Sequence, residues 1–196
     1  MLDEGRAWVV DADLKSYFDT IPHERLLELV AEKVSDGRLL TLLESYLRCG
    51  VMETLHDWKP TECGTPQGAV ISPLLANIYL DPLDHEMERS GYEMTRYADD
   101  FIIQCRSRAE AEAALARVRA WVEAAGLTLH PQKTRIVDAT TQGGFDFLGY
   151  HFERGHQWPR EKSLEKMKSA IRAKTRRVAG RSLIAIIGGL NRTLRG

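Results

Sequence analysis

An α+β domain, in which an antiparallel sheet lies on one side of its helices, is the fold this sequence predicts, and three observations predict it. The apolar, β-branched run Ala7-Trp8-Val9-Val10-Asp11-Ala12-Asp13-Leu14 reads as a buried strand. Two strand-like stretches, residues 92–97 and 101–105, flank a tight turn at Asp99-Asp100. Between and after them lie segments with apolar residues at helical spacing.

Taken in order, Pro22 suits the first position of a helix running over 24–33, with Thr20 or Asp19 near its cap and Leu26, Leu27, Leu29 and Val30 as its apolar stripe. Gly37 breaks that helix and a second spans 39–47, followed by a small hairpin over 50–62. Two glycines and a proline make Gly64-Thr65-Pro66-Gln67-Gly68 a loop. Ser72 as cap and Pro73 at the first position start a helix over 73–88, which aims Leu74, Leu75, Ile78, Tyr79, Leu83 and Met87 at a core. A further helix over 110–124 ends at Gly126. Short strands over 127–129 and 134–137 bracket His130-Pro131-Gln132-Lys133, and 145–152 reads as a hairpin. A basic amphipathic helix over 162–178 and a segment over 183–194 complete the chain. The body is expected to span 1–158 and a basic second portion 159–196.

The net charge of −1 conceals a segregation. From residue 160 onward there are eleven Lys/Arg against Glu161 and Glu165, leaving 16 basic and 26 acidic residues before them. An acidic body with a basic tail suits a metal-rich site joined to a phosphate-gripping arm. No apolar run is long enough to span a membrane, and Met1-Leu2-Asp3-Glu4-Gly5 lacks the basic-then-apolar pattern expected of a signal peptide. Cys49, Cys63 and Cys105 are widely spaced without a CxxC, as in reduced, mostly buried thiols of a cytoplasmic protein. Trp8, Trp58, Trp121 and Trp158 read as core or edge aromatics, and Arg96, Asp19 and His23 as structural.

Adjacent carboxylates at Asp99 and Asp100 repel one another, and a hard cation such as Mg²⁺ removes that penalty. If the strand through Asp13 neighbours this hairpin, three carboxylates converge at one sheet edge, a cluster suited to two ions about 3.5–4 Å apart and in-line phosphoryl transfer. Asp11 is assigned to the opposite strand face from Asp13 and left out of the ligand set.

These segments resemble the palm motifs of reverse transcriptases: Asp13-Leu14-Lys15-Ser16-Tyr17-Phe18-Asp19, then Gly64-Thr65-Pro66-Gln67-Gly68 with Ser72-Pro73-Leu74-Leu75-Ala76-Asn77-Ile78-Tyr79-Leu80. Tyr97-Ala98-Asp99-Asp100, Gly126-Leu127 with Lys133-Thr134, and Phe147-Leu148-Gly149-Tyr150 follow in the family's order. The variety is similar to bacterial group II intron reverse transcriptase/maturases, and Leu190–Gly196 resembles the start of that family's thumb. The resemblance implies a palm followed by a basic helical thumb stub. It implies an RNA-directed DNA polymerase using two Mg²⁺ ions, or Mn²⁺, with RNA template, DNA primer, dNTP and intron RNA as partners. Asp13, Asp99 and Asp100 would hold metal, with Leu14 beside them. Phe18 would be the gate against a ribose 2′-OH, and Gln67 and Gly68 would line the incoming nucleotide. Lys133 would protonate pyrophosphate as general acid; Tyr97, Leu148 and Gly149 would steady the primer. The family's basic fingers region is expected to be missing before residue 1 and its thumb to be cut off after Gly196; Ala69 replaces a common glycine. An RNA-binding maturase, or a retron, phage-defence or CRISPR-associated reverse transcriptase, are the other functions such a chain would serve.

Overall fold

The computed structural model describes residues 5–49, 51–54, 57–59, 63–66, 68–176, 180 and 182–195, with backbone alone for 51–54 and 57–59. They fall into two compact units, 1–140 and 141–196. The division precedes the expected boundary at 158/159, because three strands after residue 144 hydrogen-bond among themselves in a separate sheet.

Unit 1 is built on a four-stranded sheet in the order β4-β5-β1-β6, formed by β1 (Trp8–Asp13), β4 (Glu93–Tyr97), β5 (Asp100–Cys105) and β6 (Arg135–Asp138). Every neighbouring pair is antiparallel. Val10 and Ala12 on one face of β1, with Leu14 just beyond its end, meet Phe101, Ile103 and Cys105 of β5 in a core shared with the helices. Helix α4 (Ser72–Arg89) lies along β4, while α5 (Arg108–Ala124) packs on β1, β5 and β6. Strand alternation leaves Asp11, Asp13, Asp100 and Tyr97 on the other face.

The short α1 (Tyr17–Thr20), α2 (His23–Ala31) and α3 (Gly37–Leu47) follow β1. Pro22 stands just before α2 with extended backbone instead of inside it, and no side chain caps that helix. Gly37 starts α3 rather than merely ending α2, because the Asp36 carboxylate accepts from the N–H groups of Arg38 and Leu39. Ser72 is likewise the first residue of α4, and its hydroxyl donates to the Pro66 carbonyl, closing the loop before it. The expected hairpin after residue 50 is present as β2 (Val51–Thr54) and β3 (Asp57–Lys59). The strand expected over 127–129 is reduced to one bridge between Leu14 and Leu129. Cys49 and Cys63 are exposed and only Cys105 is buried, against the expectation of mostly buried thiols.

Unit 2 holds β7 (Phe145–Phe147), β8 (Tyr150–Glu153) and β9 (His156–Pro159), then α6 (Glu161–Lys174) and α7 (Leu183–Arg195). β9 has no counterpart in the sequence reading; its four residues are all exposed, so no apolar alternation announces it. Trp158 on it is 43% exposed, an edge aromatic. Phe145, Phe147 and Phe152 form the buried side of the sheet, the first and last stacked at 5.1 Å. α6 buries no residue and ends near Lys174, short of residue 178. Among the described residues no helix is long and apolar enough to cross a membrane.

Candidate active site

Asp13 is the last residue of β1 and Asp100 the first of β5, and the two are directly opposed in the antiparallel register. Such cross-strand neighbours have Cβ atoms about 4.5–5.5 Å apart. The turn between β4 and β5 consists of Ala98 and Asp99, so the acidic doublet is shifted by one residue from the expected tip. Asp99 is tied to β1 through its carbonyl, which accepts from the Leu14 N–H at 3.4 Å. Asp13 and the Asp99-Asp100 doublet, whose first member lies 86 residues further along the chain, are thus brought to one sheet edge.

The turn is strained. Ala98 adopts a left-handed φ of 55°, which costs a non-glycine residue about 1–2 kcal/mol. Arg96 compensates: one Nη donates to the Ala98 carbonyl and to Asn77 Oδ1, each at 3.0 Å, while Nε donates to Asp84 Oδ1 at 2.7 Å and the other Nη pairs with Asp84 Oδ2.

Lys133 sits over the cluster. Its Nζ donates to Asp13 Oδ2 at 2.5 Å, and its loop hangs from the same residue, since the His130 N–H donates to the Asp13 carbonyl at 2.8 Å. That ion pair raises the Lys133 ammonium's pKa. Burial, reinforced by Asp13, raises Asp99; its own backbone hydrogen bond and Lys133 oppose this. Asp100 is pushed up to about 6, first by burial and then by Asp11, Asp13 and Asp99.

Asp11 corrects the sequence reading. Side chains two apart on a strand share a face, so Asp11 lies with Asp13 and not opposite it. It is 8% exposed and pairs with Arg135 Nε at 3.0 Å across the β1–β6 register. The period-two rule itself was the signal that identifies it. Arg96 and its partners carried no such signal, because Asn77 and Asp84 reach it only when α4 returns along β4.

The remaining expected residues divide. Phe18, in α1, is half-buried edge-on to Tyr17 with ring centroids 5.6 Å apart, and its carbonyl accepts from the Thr65 N–H at 2.6 Å. Gly64 in that loop accepts from buried His23 Nε2 at 2.6 Å, and any Cβ on it would lie 2.8 Å from the Asp19 carbonyl. Gly68 has a φ of +86° with open space where a Cβ would stand, so backbone conformation and not close packing calls for glycine there. Gln67 lies outside the described residues. The Leu14 side chain is buried, leaving only its backbone for a ligand. Tyr97 is 68% exposed on the Asp100 face, which excludes a core role. Leu148 and Gly149 belong to unit 2, where they form the turn between β7 and β8 at φ 49° and 83°. Among the described residues no three His, Cys, Asp or Glu side chains are gathered closely enough to hold a metal ion, and the Asp13 carboxylate pairs with the Lys133 ammonium.

The family model described as reverse transcriptase (RNA-dependent DNA polymerase) matches residues 2–152. The chain belongs to the reverse transcriptase family. Protein YkfC of Escherichia coli K12 is 32% identical over 182 residues, covering 75% of this reverse transcriptase chain and 47% of its own length. The group II intron-encoded protein LtrA of Lactococcus lactis is 44% identical over 80 residues, 41% of this chain and 13% of that protein. These relatives bear out the resemblance to intron-encoded reverse transcriptases, and the chain spans less than half the length of either. Apo telomerase from Candida tropicalis shares the fold, with a TM-score of 0.68 at 12% identity over 96% of this chain and 41% of that one. The α+β palm architecture expected from the motifs is the one observed.

Proposed function

We propose that the chain is the catalytic palm, with the beginning of a thumb from about residue 159, of a group II intron-type RNA-directed DNA polymerase. The observation that carries this reading is the register pairing of Asp13 with Asp100 beside the Asp99 turn, with Lys133 poised on Asp13. Asp13, Asp99 and Asp100 would supply hard carboxylate oxygens to Mg²⁺ or Mn²⁺, with the Leu14 backbone adjacent, and a cation would relieve the repulsion among the three. When bound, two such ions supply charge stabilisation at the attacking and leaving oxygens of nucleotidyl transfer.

The chain's own residues orient and select. The Phe18 ring excludes a ribose 2′-OH, so dNTPs are preferred. Gln67 and Gly68 line the nucleotide. Tyr97, exposed beside the carboxylates, supports the primer terminus, and the Leu148-Gly149 turn steadies the primer strand. Lys133 delivers a proton to the departing pyrophosphate as general acid, its charge maintained by Asp13 until then. RNA template, DNA primer and intron RNA are the partners of this activity. A second reading, an RNA-binding maturase in which polymerisation is subsidiary, is favoured by the exposed basic helix α6.

The complete protein should extend a DNA primer on an RNA template with Mg²⁺ or Mn²⁺. Asp13→Ala or Asp99→Ala should each lower that rate by at least about 10³-fold, the scale of several kcal/mol of lost charge stabilisation. Either variant extending at the parental rate would sink the assignment.

A further inference from the structure

We propose that Arg96 is the positioning residue of the catalytic turn and that Asn77 and Asp84 of α4 aim it. This rests on the polymerase reading above and goes beyond it, because none of the three contacts a reacting group. The Arg96 side chain is only 10% exposed, and its guanidinium is shared among three acceptors: the Asp84 carboxylate, the Asn77 amide oxygen and the Ala98 carbonyl. Asn77 and Asp84 are seven residues apart, two turns of one helix face, so they present their oxygens side by side. A planar fork meets such a set at fixed angles; an ammonium does not.

The Ala98 carbonyl belongs to the peptide plane that joins Ala98 to Asp99. Holding it sets the orientation of the Asp99 backbone, and the Leu14 N–H holds the carbonyl on Asp99's other side. The left-handed φ of Ala98 persists because both ends of the turn are clamped. Arg96 therefore transmits the placement of α4, whose first turn adjoins the Gly64–Ser72 loop, to the carboxylate of Asp99. Outer residues that orient metal ligands typically change metal affinity or activity by 10–100-fold when replaced.

Two substitutions test this. Arg96→Lys retains the charge opposite Asp84 but cannot also serve Asn77 and Ala98; Asn77→Ala removes one aiming acceptor and leaves the Asp84 pair intact. Three quantities are read: melting temperature, Mn²⁺ affinity of the metal-free chain from the free-ion electron paramagnetic resonance signal, and kcat and KM for dNTP in primer extension by the complete protein. Arg96→Lys should weaken Mn²⁺ binding and lower kcat by about 10–100-fold with KM for dNTP within about twofold of the parent. Asn77→Ala should shift both in the same direction by a smaller factor, at a melting temperature close to the parent's. Should Arg96→Lys fail to fold, Asn77→Ala alone decides. Folded variants with parental Mn²⁺ affinity and kcat overturn the proposal while an inactive Asp99→Ala leaves the polymerase reading standing; an active Asp99→Ala overturns both.

Discussion

Asp100 shows how one residue can be stable and uncomfortable at once. Its carboxyl faces Asp13 across two strands, with Asp11 and Asp99 nearby, and its pKa rises to about 6. A carboxyl whose pKa is higher when folded binds its proton more tightly in the native state. Its stabilising contribution is therefore complete below pH about 4, the unfolded value, and is lost as pH climbs through about 6. In chelator, Asp100→Asn should match the parent in urea unfolding near pH 3 and exceed it at pH 8 by about 1 kcal/mol, after discounting the full shift for solvent screening. An equal difference at both pH values would mean that the repulsion is not borne by Asp100. At this scale Asp13, Asp99, Asp100 and Lys133 were legible in the sequence, because short motifs in a fixed order carry them. Asp11 was legible too, through strand alternation alone, and was misassigned when that period was applied with the wrong parity. Arg96 was not: its partners lie 12 and 19 residues away, and only the return of α4 along β4 brings them together.

Elements were read more reliably than their ends. The sheet strands, α2 to α5 and both hairpins follow from hydrophobic spacing, yet caps moved by one to three residues wherever a loop hydrogen bond competed. Ser72 is such a case, since its hydroxyl closes the preceding loop on Pro66. That loop is fastened to α1 and α2 at several points: the Gly64 N–H to the Ile21 carbonyl at 2.8 Å, the Thr65 N–H to the Phe18 carbonyl, and His23 to the Gly64 carbonyl. Phe18, the proposed steric gate, and the loop proposed to line the nucleotide are thus parts of one fastened corner. Gly64→Ala places a Cβ against the Asp19 backbone at φ +88° and should cost roughly 2–4 kcal/mol from strain and overpacking together. At about 2–4 °C per kcal/mol for a chain of this size, melting should fall by about 5–15 °C. Gly68→Ala, at φ +86° but in open space, should cost only about 1 kcal/mol. Equal losses in thermal melts of the two variants would refute the close approach at Gly64.

Across the whole chain, charge divides with the compact units: residues 141–196 carry twelve Lys/Arg against four Asp/Glu, while residues 1–140 are acidic. The acidic portion holds the carboxylate edge, and the basic portion holds α6, where Lys162, Lys166, Lys168 and Arg172 stand on a helix without a buried residue. Lys174 differs, because its Nζ is engaged by the Gly189 carbonyl and the Thr193 hydroxyl of α7. A basic helix face is either merely solvated or a phosphate contact, and salt dependence separates the two. Each phosphate contact to a single strand contributes about 0.7 to the slope of log K against log salt. Lys168→Ala combined with Arg172→Ala, residues one turn apart on α6, should make the slope for single-stranded RNA shallower by about 1.4 and weaken binding most at low salt. Asp99→Ala should leave that slope unaltered, because the acidic edge repels phosphate rather than holding it. An unchanged slope in the double variant would assign α6 to solvent and remove the observation that favours the maturase reading. The loss of RNA affinity with primer extension retained at saturating template would assign α6 to template or intron contact, distinct from the chemistry proposed for Asp13, Asp99 and Asp100.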